Sequence, residues 1–156
     1  MKGETLMDSS KKYPRSVHEK YLGVVQLART VDKARMLATG SIGEYHYDCP
    51  MDQALFSKFG IDAKQLAQLV SEVAKDPARN ADLEAYLKPL IGKKSQAEID
   101  AFNREVETNK PVGESLKHFE ELRARIAPKR TDITSWPDIL DIDEGRHVPE
   151  RVLSPA

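Results

Sequence analysis

The chain has 156 residues, with 24 Lys and Arg against 25 Asp and Glu and a formal net charge of −1. That length fits one core, and 40% hydrophobic residues with charges of mixed sign exclude a disordered chain. The missing basic excess argues against a nucleic-acid binder or an anionic-membrane surface, both of which rely on a positive field.

The short pairs Lys11-Lys12, Lys93-Lys94 and Lys129-Arg130 are dispersed and read as solvated surface. Cys49 is the only cysteine, so no internal disulfide forms and the cytoplasm is the expected compartment. The start, Met1 to Asp8, lacks the apolar run of a signal peptide, and no window approaches the roughly 18 apolar residues of a membrane span.

In chain order, residues 1–13 are polar and read as a flexible arm before Pro14. From about Val17 to Ala38, Val24, Leu27, Val31, Ala34 and Ala38 recur at helical spacing, and Gly40 and Gly43 end the run. Glu44-Tyr45-His46-Tyr47 alternates as a short extended segment would. Pro50 opens a helix to about Phe59, with Asp52 in its first turn and Gly60 closing it.

Asp62 caps the next helix, whose stripe is Leu66, Leu69, Val70 and Val73, and Asn80 caps one carrying Leu83, Tyr86, Leu87 and Leu90. Ser95-Gln96-Ala97-Glu98 is a capping box. After Pro111 and Gly113 comes a helix with Leu116, Phe119, Leu122 and Ile126, and Ser135 caps a short last helix. The spacing thus predicts a mainly α fold, a single helical domain over residues 14–146 of about six helices, and a tail over residues 147–156.

Gly40 and Gly43 follow a helix C-terminus, where carbonyls repel anions, so they read as caps and not as a phosphate loop. His46, Cys49 and the distant His18 fall short of the four ligands of a closed zinc site, and the expectation is no metal and no cofactor. Cys49 as a nucleophile would need a base such as His46.

Arg29, Asp32, Lys33 and Arg35 are more informative. Arg29, Asp32 and Lys33 share a face roughly opposite the apolar stripe and so are not expected in the core. Arg29 and Lys33 are like charges four residues apart, which Asp32 offsets only in part. Leu22, Val25 and Met36 lie along that same face, which implies a second contact there. The face is a solvated salt-bridge face, or it is covered by an internal acidic segment, Asp141 to Glu144 with Ile139, Leu140 and Ile142 as anchors, or by an anionic ligand. That acidic run lacks the spacing of a calcium loop.

These residues carry a resemblance. Ala28-Arg29-Thr30-Val31-Asp32-Lys33-Ala34-Arg35, Gly43-Glu44-Tyr45-His46-Tyr47, Asp52, Ala101-Phe102-Asn103, Thr131-Asp132-Ile133-Thr134 and Asp143-Glu144-Gly145-Arg146 together resemble a bacterial family of unknown function, the one numbered fifty sixty-nine. The resemblance implies a small bacterial protein and carries no activity.

Three functional readings follow. The first is a module binding a small anionic ligand through Arg29, Lys33 and Arg35, with Tyr45 and Tyr47 as walls and donors. The second is a structural or oligomerising protein. The third is an enzyme in which Asp32, Glu44 or Asp52 is the acid or base beside those cations.

Overall fold

Seven α-helices occur among the described residues, 13–152 of a computed structural model. They are α1 (Leu27–Ala38), α2 (Pro50–Phe59), α3 (Ala63–Lys75), α4 (Asn80–Gly92), α5 (Gln96–Glu107), α6 (Glu114–Ile126) and α7 (Trp136–Asp143), with one 3₁₀ turn at Pro77–Arg79. The arm expected over residues 1–13 lies, apart from Tyr13, outside the described residues, as do residues 153–156.

The mainly helical reading holds, and most of its boundaries rest on the predicted chemistry. Asp62 accepts from the Gln65 amide at 2.8 Å, and Ser135 accepts from Asp138. Ser95 and Glu98 exchange bonds to each other's backbone amides at 3.1 and 3.4 Å, as a capping box requires. Gly60, at φ 69°, ends α2 in the left-handed conformation that glycine adopts without a Cβ clash.

Asn80 is the first residue of α4 and not its cap, since Arg79 holds the cap position without a side-chain bond; two larger expectations also need correction. The first helix begins at Leu27, not near Val17, because Leu22, Gly23 and Gln26 all have positive φ, at 54°, 81° and 69°. Residues 17–26 instead fold as turns: Tyr21 and Val24 exchange backbone bonds at 3.1 Å around Leu22 and Gly23, the positive-φ pattern of a type I′ turn. Asn103 holds this turn by accepting from the Val25 amide at 3.1 Å and donating to the Gly23 carbonyl at 3.0 Å. The apolar spacing of Val17 and Val24 reflects burial of an irregular segment, which imitates one face of a helix.

The second correction concerns Glu44 to Tyr47, which folds as turns. Tyr45 donates its amide to the Ile42 carbonyl, and Asp48 takes a positive φ of 68°. No strand lies among the described residues to pair with that segment.

The chain divides into two compact units, one reaching Asn103 and the other starting at Arg104. In the first, α1 packs chiefly on α3, and α3 on α4. Leu27, Val31, Leu55, Leu66, Val70, Leu83 and Leu87 are wholly buried, and Phe59 meets Phe102 edge-on at 5.3 Å. In the second, Phe119, Ile133, Ile139 and Val148 form a core against which Leu122, Ile126, Trp136 and Ile142 pack. Val148 belongs to the stretch expected as a tail, and it is held there because Arg130 donates to its carbonyl at 3.0 Å while Arg151 pairs with Asp138 at 2.9 Å.

Candidate functional site

The charged face of α1 is inside the protein. Arg29, Asp32, Lys33 and Arg35 are all buried, as is every residue from Leu27 to Met36, so the expectation that this face stays out of the core is overturned. Burial of charge is tolerated only where partners replace water, and the first unit supplies them at fixed positions.

Asp52, in the first turn of α2, anchors the larger network. Its carboxylate accepts from Lys33 Nζ at 2.6 Å, Thr30 Oγ1 at 2.6 Å, Gln26 Nε2 at 2.9 Å, and the amides of Asp48 and Cys49 at 3.0 and 3.2 Å. Burial works to raise its pKa, but the Lys33 ammonium and these hydrogen bonds outweigh burial and hold the carboxyl below its ordinary value. Lys33 also donates to the His46 carbonyl at 2.9 Å and meets Cys49 Sγ at 3.3 Å, so all three ammonium protons are committed.

Asp32 forms a second, tighter clasp. Arg15 reaches it three times: with its backbone amide at 2.8 Å and with Nε and Nη2 at 2.9 Å each. This is the bidentate guanidinium–carboxylate geometry, which adds direction to charge. Arg29 donates to the Arg15 carbonyl at 3.1 Å, and its guanidinium lies 5.5 Å from the centre of the Tyr45 ring.

The remaining candidates are placed differently. Tyr47 packs on Phe56 at 5.9 Å and donates its hydroxyl to the Ala63 carbonyl at 2.6 Å. Burial, followed by the charge of Asp52, pushes its phenol above the ordinary value. Glu44 is exposed on the turn before Tyr45. Arg35, in the last turn of α1, is 9% exposed, yet its Nε is buried without a hydrogen-bond partner among the described residues. No carboxylate among those residues forms an ion pair with it.

Sequence reasoning named Lys33 and Asp52 without pairing them, and it missed Arg15, Gln26 and Thr30. Their signal was faint: Thr30 is a small polar residue between Arg29 and Val31, and Gln26 is a neutral residue just before the helix. Gln26 is 1% exposed, and its Oε1 has no partner among the described residues. No group of three His, Cys, Asp or Glu residues able to hold a metal is gathered among the described residues. Cys49 faces the Lys33 ammonium, whose charge would oppose a cation at the thiol.

In the second unit Asp132, Asp138, Asp141 and Glu144 pair with cations of that same unit. Arg146 pairs with Asp141 at 3.5 Å and with Glu144. Arg130 clasps Asp132 through two bonds of 2.9 Å, and with the Arg151 amide it holds that carboxyl well below its usual range.

Residues 11–146 match the model of a domain of unknown function, DUF5069. The chain belongs to this family. No curated protein matches it. Among the described residues no helix is long and apolar enough to cross a membrane. The family carries no activity to transfer, so the functional reading of this DUF5069 chain rests on its own side chains.

Proposed function

We propose that this protein binds a small anionic ligand, a carboxylate or phosphate compound, and that Arg35 is the residue that reads its charge. The observation that carries the reading is Arg35, only 9% exposed, whose Nε is buried without a hydrogen-bond partner and which forms no ion pair with an acid among the described residues. A cation largely withdrawn from water without a counter-charge is costly, and a forked donor is suited to planar or tetrahedral oxyanions. The nearest acid on the same helix, Asp32, is taken up by three bonds from Arg15.

The rest of the cluster is the support for that residue. Lys33, Asp52, Thr30 and Gln26 hold α1 to the start of α2, and Arg29 stacks on Tyr45. Glu44 and Tyr45 belong to the only partly buried segment of the candidate set and are the residues proposed to meet the ligand's outer part. A bacterial cytoplasm is the proposed setting, in keeping with a single cysteine.

A purely structural role is the second reading, favoured by the complete hydrogen bonding of Lys33 and Asp52. Acid–base catalysis has less support: Asp52 already accepts from five donors and Asp32 from three, which leaves little room for a substrate proton.

Isothermal titration with inorganic phosphate, succinate and citrate tests the proposal. At least one probe should bind one-to-one, at least about tenfold weaker to Arg35→Lys and undetectably to a folded Arg35→Met. Equal binding by the wild type and Arg35→Met, or no saturation by any of the three at millimolar concentration, would contradict it.

A further inference from the structure

We propose that the second unit carries a separate ligand site, a cleft along α6 that takes a small zwitterion, a free α-amino acid with an apolar side chain. The cleft has a volume of about 430 Å³, within the roughly 300–1,000 Å³ usual for small-molecule sites. Leu116, Phe119, Glu120 and Arg123 line it from one face of α6, spaced three and four residues apart. Lys110 and Pro111, in the loop before the helix, line it as well.

The lining combines apolar side chains, Pro111, Leu116 and Phe119, with charges of both signs. Phe119 is 1% exposed, whereas Leu116 remains 44% exposed, so the cleft presents uncovered apolar surface next to a closed core. Arg123 is already oriented: Nη1 donates to the Ile133 carbonyl at 2.7 Å, and the guanidinium lies 5.7 Å from the centre of the Phe119 ring. Its other donors are left for a ligand, and little side-chain freedom remains to be lost on binding.

Neither Arg123 nor Lys110 forms an ion pair with an acid among the described residues, and Glu120 forms none with a cation. Glu120 and Arg123 are three apart on the helix, a spacing at which such residues commonly pair, yet Arg123 is turned to the Ile133 carbonyl instead. A plain anion in this cleft would leave Glu120 without a partner, and a plain cation would be repelled by Lys110 and Arg123. A molecule with a carboxylate for the two cations, an ammonium for Glu120 and an apolar body for Phe119 and Leu116 satisfies all of them.

The single tryptophan gives a local readout, because Trp136 meets Phe119 edge-on at 5.1 Å behind the cleft. The experiment titrates the full chain with L-leucine, N-acetyl-L-leucine and L-leucinamide while following tryptophan emission. L-leucine should give a saturable change, and each blocked form should bind at least about tenfold more weakly. Glu120→Gln, at an exposed position, should erase the preference for L-leucine over its N-acetyl form, and Lys110→Ala should weaken L-leucine binding. Saturation by N-acetyl-L-leucine as strong as by L-leucine would mark a plain anion site and overturn the proposal. Equal binding of all three forms, or no saturation by L-leucine, would overturn it too.

Discussion

Lys33 Nζ lies 2.6 Å from Asp52 Oδ2, with the carboxylate wholly buried and the ammonium side chain 4% exposed. Breaking such a pair from one side leaves a charge stranded, which costs about 3–5 kcal/mol. Asp52→Asn, nearly isosteric, should therefore lower unfolding free energy by about that amount in urea titrations, and Lys33→Met should do the same. The double variant should lose much less than the sum of the two, because it strands nothing. Additive losses would show that the pair has no coupling.

Stability should fall at both ends of the pH range, for separate reasons. The pKa of Asp52 is lower in the folded protein than its ordinary 3.8. Its contribution is full above that unfolded value and drains away as pH falls through the lower folded one. Tyr47 behaves in the opposite sense: its phenol is raised above the ordinary 10.0, so the folded state keeps the proton longer than the unfolded chain. Its contribution is full below pH 10.0 and is lost as pH rises toward the folded value. Denaturant midpoints measured against pH should show a steep alkaline limb in the wild type that Tyr47→Phe flattens.

Asn103 is 5% exposed, and both ends of its amide are used, on the Val25 N–H and the Gly23 carbonyl. Removing it by Asn103→Ala leaves the buried Val25 amide and the part-buried Gly23 carbonyl unmatched beside a positive-φ turn. The expected loss is about 1–3 kcal/mol, accompanied by faster hydrogen exchange at Tyr21 and Val24. Unchanged exchange at those two amides would mean that the turn stands without its clamp.

Most helices from α2 onward were legible because their ends are written in local chemistry: Pro50, Asp62, Ser95 and Ser135 each act within one turn of where they stand, whereas Asn80 opens α4 without capping it. The start of α1 was not. Val17 and Val24 fit a helical stripe, and no periodicity argument separates a buried loop from a helix face when the turn residues are Leu22 and Gln26, which rarely adopt positive φ. The candidate site was legible as a list of residues but not as a set of partners. Lys33 with Asp52 and Asp32 with Arg15 are tertiary pairs separated by 19 and 17 positions. Charged residues on a helix are ordinarily solvated, so only Leu22, Val25 and Met36 on that face pointed to the second contact that buries Leu27 to Met36.

The claim that Arg35 awaits an anion is tested most directly by thermal unfolding of the wild type and Arg35→Met, first in a buffer free of polyvalent anions and then with citrate. Without citrate the methionine variant should melt higher, because an apolar chain of similar length replaces a guanidinium that has no counter-charge among the described residues. Added citrate should raise the wild-type midpoint by mass action and leave the variant unmoved, narrowing or reversing the order. A variant that melts lower than the wild type in both buffers, with the two proteins responding equally to citrate, would contradict the account.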